Sequence, residues 1–371
     1  MTATRTRAYA RAALAYAAVV TALLLWPYRF SWPADVANGV RWLPGGGVEW
    51  QAPGLIRSAG SARALIASLA DGAGFSVELW LASARPDQTG PARIVGSSRD
   101  VDHRNFTLGQ ERDALIVRLR TDRTNANGTP PLRVPGVFAD SRLRHVLASY
   151  ELASGTLRVW VDGALAAESR APGGSLAPWD PGMPLWLGNE ATGTRPWLGR
   201  LRLLALYAQA QGGDLAARHF AAGPPVPGAP PVSDPAAAPA ALYRFDAGAG
   251  ALVADQSSGA APVDLEIPAG FRVGESQLLA VHDSAGSLDR FLNLLLLLPF
   301  GFLLDRALGG LRPGRRTACV LAVAAAFPLL MEALQYGLPP RISSAQDALL
   351  NALGACIGLA WSRVQGRRAA P

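Results

Sequence analysis

Four runs of apolar residues constrain this chain more than any other feature: Ala12 to Trp26, Leu288 to Leu304, Ala318 to Leu334 and Ala345 to Trp361. Three of them hold about 17 residues, the short end of what crosses a hydrocarbon core of roughly 30 Å. Each has arginine at one end. Arg5, Arg7 and Arg11 precede or open the first; Arg306, Arg312, Arg315 and Arg316 separate the second from the third; Arg363, Arg367 and Arg368 follow the fourth. Placing every one of these ends in the cytoplasm satisfies the positive-inside rule at all four spans. The predicted topology has both termini inside and the segment from about 30 to 285 outside. Trp26, Tyr28 and Trp32 lie at the far end of the first run, where aromatic rings anchor an interface. The rival reading of that run is a cleaved signal peptide. Trp26-Pro27-Tyr28-Arg29-Phe30 is too bulky for a cleavage site, and a cut after Ala37 leaves Asp35 in a position that wants a small residue. An uncleaved anchor is expected.

The net charge of +7 invites a nucleic-acid reading, which its distribution removes. All basic residues are arginine. The ten named above are opposed by Asp305 alone, and the rest of the chain is slightly acidic. Cys319 and Cys356, the two cysteines, both fall in apolar runs, and four scattered histidines do not make a zinc site. No cofactor is expected.

Between about 36 and 215 the apolar period changes to two. Phe75 to Leu81, Ala114 to Arg120 and Arg144 to Tyr150 alternate, and Thr156 to Val161 is joined to Ala164 to Ala167 through Asp162-Gly163. Asp-Gly between alternating runs predicts a type I′ hairpin. Many short strands with Gly, Pro and Asp turns predict an antiparallel β-sandwich. The series "FSVELWL", "FTLGQ", "LRHVLASYE", "GTLRVWVDGALAA", "LWLGN" and "WLGRLRLLALY" resembles the laminin-G/concanavalin A-like jelly-roll. These motifs are structural and imply a fold, not a reaction.

Candidate chemistry in the sandwich is sparse. Glu78 has no acidic partner at i+2, as retaining glycosidases of this architecture require. Asp100 and Asp102 offer oxygen ligands for a Ca²⁺ ion, with a solvated loop as the alternative. Trp160 and Trp186 sit inside strands and read as core, whereas Trp179 and Trp197 lie near Pro/Gly loops and are the candidates for stacking on a glycan. Residues 216–286 read as a Pro/Ala/Gly-rich spacer followed by an accessory β segment around Leu242 to Gly259.

Polar residues within the last three spans converge at one depth. Asp289 and Asn293 share a face of the second span, Glu332 and Gln335 end the third, and Asp347 and Asn351 begin the fourth, with Arg341 in the preceding loop. The predicted topology puts all seven at the outer surface, and intramembrane polar groups are functional candidates. "DRFLNLLLLLPFG" and "EALQYGLPPRISSAQDALLNALGACIG" resemble the VanZ-like membrane family, through Asn293, Pro299, Gly301, Glu332, Gln335, Arg341, Asp347, Asn351 and Gly354. Pro27 and Phe30 resemble that family's first helix.

The expected architecture is a multi-domain membrane protein: a four-helix transmembrane bundle plus an antiparallel, concanavalin A-like jelly-roll. Its parts are a first helix at 8–28, the sandwich at 36–215, the spacer at 216–286, a VanZ-like bundle at 287–362 (spans 288–304, 318–335 and 345–361) and a basic tail at 363–371. The resemblance implies a role in the bacterial cytoplasmic membrane, with the β domain outside, and a link to glycopeptide resistance or envelope maintenance. The partners are the lipid bilayer and a cell-wall glycan, lipid-linked glycan or envelope protein, without nucleic acid. Three roles stay open for the polar cluster. It is part of a non-catalytic anchor, or it handles a lipid headgroup with Glu332 or Asp347 as base and Arg341 holding phosphate, or it only ties helices together.

Overall fold

The computed structural model describes residues 3–26, 30, 32, 34–229, 237–259, 262–274, 287–338 and 343–368. They divide into two compact units, a helical one formed by 1–34 with 274–371 and a β unit formed by 35–273.

The chain opens with α1 (Ala3–Leu24) and then enters the β unit. There follow β1 (Ala34–Ala37), β2 (Val40–Trp42), β3 (Val48–Trp50), β4 (Ile56–Ser58), α2 (Arg63–Ala70) and the long strand β5 (Gly74–Ser83). Next come β6 (Ala92–Ser98), β7 (Arg104–Glu111), β8 (Ala114–Leu119), β9 (Leu132–Val134), β10 (Arg144–Glu151), β11 (Thr156–Val161) and β12 (Ala164–Ser169). The unit closes with β13 (Leu185–Leu187), β14 (Gly199–Tyr207), α3 (Gly213–Ala222), β15 (Ala241–Tyr243), β16 (Leu252–Val253), β17 (Leu265–Glu266) and β18 (Gly270–Val273).

Sixteen of these strands make two eight-stranded sheets among the described residues, and β1 with β18 makes a separate pair. One runs β12-β11-β10-β5-β14-β3-β2, with β15 also on β14; the other runs β16-β17-β4-β13-β6-β7-β8-β9. The fold is an antiparallel jelly-roll sandwich. Strand alternation explains the layers. Val77, Leu79 and Leu81 of β5 face inward with Val146, Ala148, Leu204 and Leu206, meeting Val95, Phe106, Leu108, Leu115, Val117 and Leu187 of the second sheet. The Asp162-Gly163 turn takes positive φ at both residues, 49° and 80°, as a type I′ hairpin demands.

The segment read as spacer and accessory strands belongs in large part to this sandwich. Residues 213–222 form α3, β15 pairs with β14, and β17 pairs with β4. Tyr243 and Phe245 are fully buried. The unit therefore extends well past residue 215, because Tyr243, Phe245, Val253, Val263 and Leu265 are part of the same core. Its two ends meet. β1 is hydrogen-bonded to β18, Asn38 donates its backbone N–H to Ala269 O (3.0 Å), and its side chain donates to Pro268 O and Leu55 O at 2.8 and 2.7 Å.

The helical unit comprises α1, α4 (Ser287–Leu296), α5 (Leu298–Ala307), α6 (Pro313–Gln335) and α7 (Ala345–Arg368). Its small core gathers Ala13, Val20, Leu297, Phe300, Ala324 and Ala355. Most large apolar side chains point the other way: Leu14, Leu23, Phe291, Leu321, Leu330, Leu349 and Trp361 are exposed, as suits an apolar solvent. Thr4–Leu24 and Pro313–Gln335 are the two described helices long and apolar enough to cross a membrane. The predicted span 288–304 is not one helix. The α-helical run breaks at Leu297 (φ −101°, ψ 3°), because Pro299 supplies no N–H to continue the ladder.

Glycine sets how closely these helices approach. A Cβ on Gly301 would lie 1.9 Å from Ala355 O, and one on Gly354 or Gly358 would lie 2.0 Å from Leu294 O or Leu298 O. Gly354 and Gly358 are one turn apart, so α7 lays a small-residue groove against α4 and α5.

Candidate functional site

The helical unit brings together part of the predicted polar cluster. Glu332, near the end of α6, is buried, and its Oε2 accepts the Ser344 N–H at 2.8 Å. Ser344 immediately precedes α7, and its Oγ accepts the Asp347 N–H at 3.2 Å. The Glu332 carboxylate thus sits at the positive end of α7, where unpaired N–H groups favour an anion. Gln335 donates to Leu24 O at 3.2 Å, satisfying a carbonyl at the end of α1. Asn351 is buried on α7 and donates to Asp347 O at 2.9 Å. Asn293 is half-buried on α4. The side chain of Asp289 and all of Arg341 lie outside the described residues.

A second polar knot in this unit was not anticipated. Asp305, fully buried on α5, is paired with Arg316 and accepts the Ser362 Oγ–H at 2.6 Å, while Arg306 donates to Ser362 O at 2.8 Å. Arginines read from sequence as topology markers therefore also tie α5, α6 and α7.

In the sandwich, the two tryptophans offered for glycan stacking are core residues. Trp197 is fully buried, packs edge-on to Trp50 and donates Nε1–H to Gln110 Oε1 at 2.9 Å. Trp179 is buried against Phe75 and Phe106 and donates to Arg120 O at 2.8 Å. Both rings are packed in the core with their Nε1–H groups satisfied, so neither faces solvent. Asp100 and Asp102 are each engaged in hydrogen bonds within the protein. Asp100 is buried, and its Oδ1 accepts the backbone N–H of Asp102 and of His103 at 2.8 Å while both oxygens contact His103 Nδ1. Burial pushes its carboxyl up, but these hydrogen bonds prevail and hold it below the usual range. Asp102 accepts from Asn127. Among the described residues no group of three or more His, Cys, Asp or Glu could hold a metal.

The residue that appeared isolated in sequence is the centre of the sandwich's main polar cluster. Glu78 lies on the outer face of β5, opposite Val77 and Leu79, under α3. It is 1% exposed. Its Oε1 meets His145 Nε2 from β10 and His219 Nδ1 from α3, each at 2.8 Å, and its Oε2 accepts the Tyr207 hydroxyl from β14 at 2.5 Å. Burial raises the carboxyl, yet the hydrogen bonds and charge of the two histidines outweigh it and bring it to about 2. His145 Nδ1 and His219 Nε2 are buried without a hydrogen-bond partner. Glu78, Tyr207 and His219 form the polar floor of a cavity of about 460 Å³. Its walls are apolar, among them Leu203, Ala205, Pro225, Val226 and Leu242, with Arg244 and Gln256 as polar elements. Such a concave site with a few convergent polar groups suits ligand binding. In sequence Glu78 shows only the absence of an acidic partner at i+2. The partners were not visible because they come from β10, β14 and an unforeseen helix.

The fold and this geometry define a class: a jelly-roll domain, with a ligand-sized cavity on one sheet, carried in one chain with apolar helices. Residues 58–213 match the family model described as the Concanavalin A-like lectin/glucanases superfamily, and residues 256–365 match VanZ/LLP1. The chain thus combines a jelly-roll domain with a VanZ-like segment. No curated protein matches it. Similar solved structures include a putative carbohydrate binding protein from Bacteroides ovatus, at 16% identity and TM-score 0.39, covering 66% of this chain and 60% of that one. A botulinum neurotoxin type C structure, whose cell entry depends on two ganglioside molecules, matches at 12% identity and TM-score 0.37 over 53% of this chain and 47% of that one. The heptameric SAP-like pentraxin from Limulus polyphemus matches at 12% identity and TM-score 0.33 over 50% of this chain and 80% of that one. The first two matches thus leave much of those proteins uncovered, and all three are likenesses of strand arrangement.

Proposed function

We propose that this chain is a multi-pass protein of the bacterial cytoplasmic membrane that displays its jelly-roll outside the cell membrane, where it binds a glycan or protein of the envelope. The observation that carries this reading is the pairing of β1 with β18. A domain inserted into a membrane-protein loop must enter and leave at one place, and this one does. Apolar side chains turned outward on α1, α6 and α7 support a lipid surround for the helices. The arginine pattern supports cytoplasmic termini. The cavity above Glu78 supplies apolar walls and a hydrogen-bonding floor for a ligand. The VanZ-like segment extends the reading to envelope maintenance, with altered glycopeptide sensitivity as the phenotype of deletion. The helical Glu332 cluster serves here as a helix tie, since Glu332 accepts the Ser344 N–H at the start of α7.

Topology is tested with Cys319 and Cys356 replaced and single cysteines introduced at exposed Ala153 and Gly314. In intact cells a membrane-impermeant maleimide should label Ala153→Cys, whereas Gly314→Cys should label only after permeabilisation. The opposite pattern refutes external display. An envelope-glycan array probed with the full chain in nanodiscs tests binding, and silence against every envelope polymer removes the glycan arm.

A further inference from the structure

The outer face of the second sheet holds more buried positive charge than its own carboxylates neutralise. Arg93 on β6 has a side chain only 5% exposed; its Nε donates to Glu190 Oε2 at 3.0 Å, and its Nη1 has no partner. Arg104, fully buried at the start of β7, donates to Thr107 Oγ1 at 3.1 Å and to Val101 O, leaving Nε unpaired. Arg118 on β8 is half-buried and donates to Asn127 Oδ1 at 2.5 Å, again leaving Nε unpaired. Arg195 donates to Gly90 O at 3.0 Å, while its Nε stands 4.0 Å from Glu190 Oε1 without a hydrogen bond.

Strand register explains why these side chains share a face. Trp186, Gly96, Thr107 and Arg118 are successive cross-strand partners, as are Arg93, Gly109 and Ile116. Gly96 and Gly109 carry no side chain because a Cβ would lie 2.9 Å from Thr107 Oγ1 and 2.7 Å from Ala92 O. Four guanidiniums share the region with Glu190 and Asp102, and with Glu111, which is itself paired with Arg133, so positive charge stays in excess and the repulsion is felt. Burial and then the charge of Arg93 lower Arg104 to about 9, and the same two causes lower Arg118. Burying cations without matching anions is costly, and forked guanidinium donors fit oxyanions.

We propose that this face binds an oxyanion carried by a glycan, a phosphate or a uronate carboxylate, through the partly exposed Arg118 and Arg195, with the buried Arg93 and Arg104 adding positive charge behind them and half-exposed Trp186 alongside for the sugar ring. The glycan part rests on the function proposed above; the anion site does not.

The test uses the full chain in nanodiscs of zwitterionic lipid, titrated calorimetrically with inorganic phosphate, glucuronic acid and neutral glucose. Phosphate or glucuronate should bind saturably and weaken as salt rises, and the stronger of the two identifies the source of the oxyanion. Arg118→Gln, at a half-buried position, should weaken binding by about five-fold or more, the loss of one charge-assisted contact. Glu190→Gln, which removes a neutralising carboxylate, should strengthen it. No saturable binding of either anion overturns the site, as does Arg118→Gln binding like the wild type. Anion binding that needs Arg118, without any glycan binding on the array, sustains the site and removes the glycan reading. Neutral-glycan binding unaffected by Arg118→Gln, without anion binding, does the reverse.

Discussion

Glu78 shows how one buried carboxylate is made tolerable. An ionised carboxylate in an apolar layer needs several donors, and this one has His145, His219 and Tyr207. Because its folded value is depressed from 4.5 to about 2, its stabilisation is complete above pH 4.5 and is lost as pH falls toward 2. The contribution is on the order of 3 kcal/mol at neutral pH. Thermal scans should therefore show wild-type stability falling between pH 4.5 and 2 more steeply than that of Glu78→Gln, which should start lower and stay flatter. Equal slopes would mean that the carboxylate is not ionised in the folded protein. The same cluster holds α3 on the sheet, since His219 reaches Glu78 from that helix beside the packed Leu215 and Ala216.

At the scale of elements, helix packing in the VanZ-like segment is governed by what is missing from side chains. Gly301, Gly354 and Gly358 face carbonyl oxygens at distances no Cβ could occupy. In the membrane setting proposed above, lipid gives no hydrophobic drive between helices, and close backbone approach is what would hold them. Gly354→Leu should force α4 and α7 apart and lower the melting temperature of the detergent-solubilised chain, whereas Gly366→Leu, which has open space, should leave it unchanged. Because leucine is a better helix former than glycine, similar loss from both would show that added bulk anywhere on α7, not the contact with α4, is responsible. Glu332 and Gln335 belong to the same account, as each satisfies a backbone group at the end of another helix.

At the scale of the whole molecule, the β unit has its own continuous core and a paired entrance and exit. Residues 35–273 expressed alone should fold cooperatively, with two-state thermal unfolding and a dispersed proton spectrum; truncation at residue 215 should not, because β15 and β17 would be lost from the two sheets. A folded 36–215 fragment would contradict the role given to the late strands. Much of this plan was legible without coordinates. The change from long apolar runs to period-two alternation separates the helical part from the sandwich, since a membrane and a half-buried sheet impose different periods. Asp162-Gly163 specified its hairpin, because its positive φ values are a local demand. Gly301, Glu332 and Gly354, read from sequence as family motif residues, lie at helix contacts in the structure. What remained hidden depends on which strands become neighbours. Trp179 and Trp197 look exposed beside their loops and are packed in the core. Span 288–304 looks continuous and is interrupted at Leu297, ahead of Pro299. Glu78 looks alone until β10, β14 and α3 bring three partners across 67, 129 and 141 positions of chain. The sequence by itself determined the apolar helices, the strands and the turn, because those follow from local backbone preference and solvent. Only the tertiary structure decided which charges meet, because long-range register, not spacing, puts side chains within hydrogen-bonding distance.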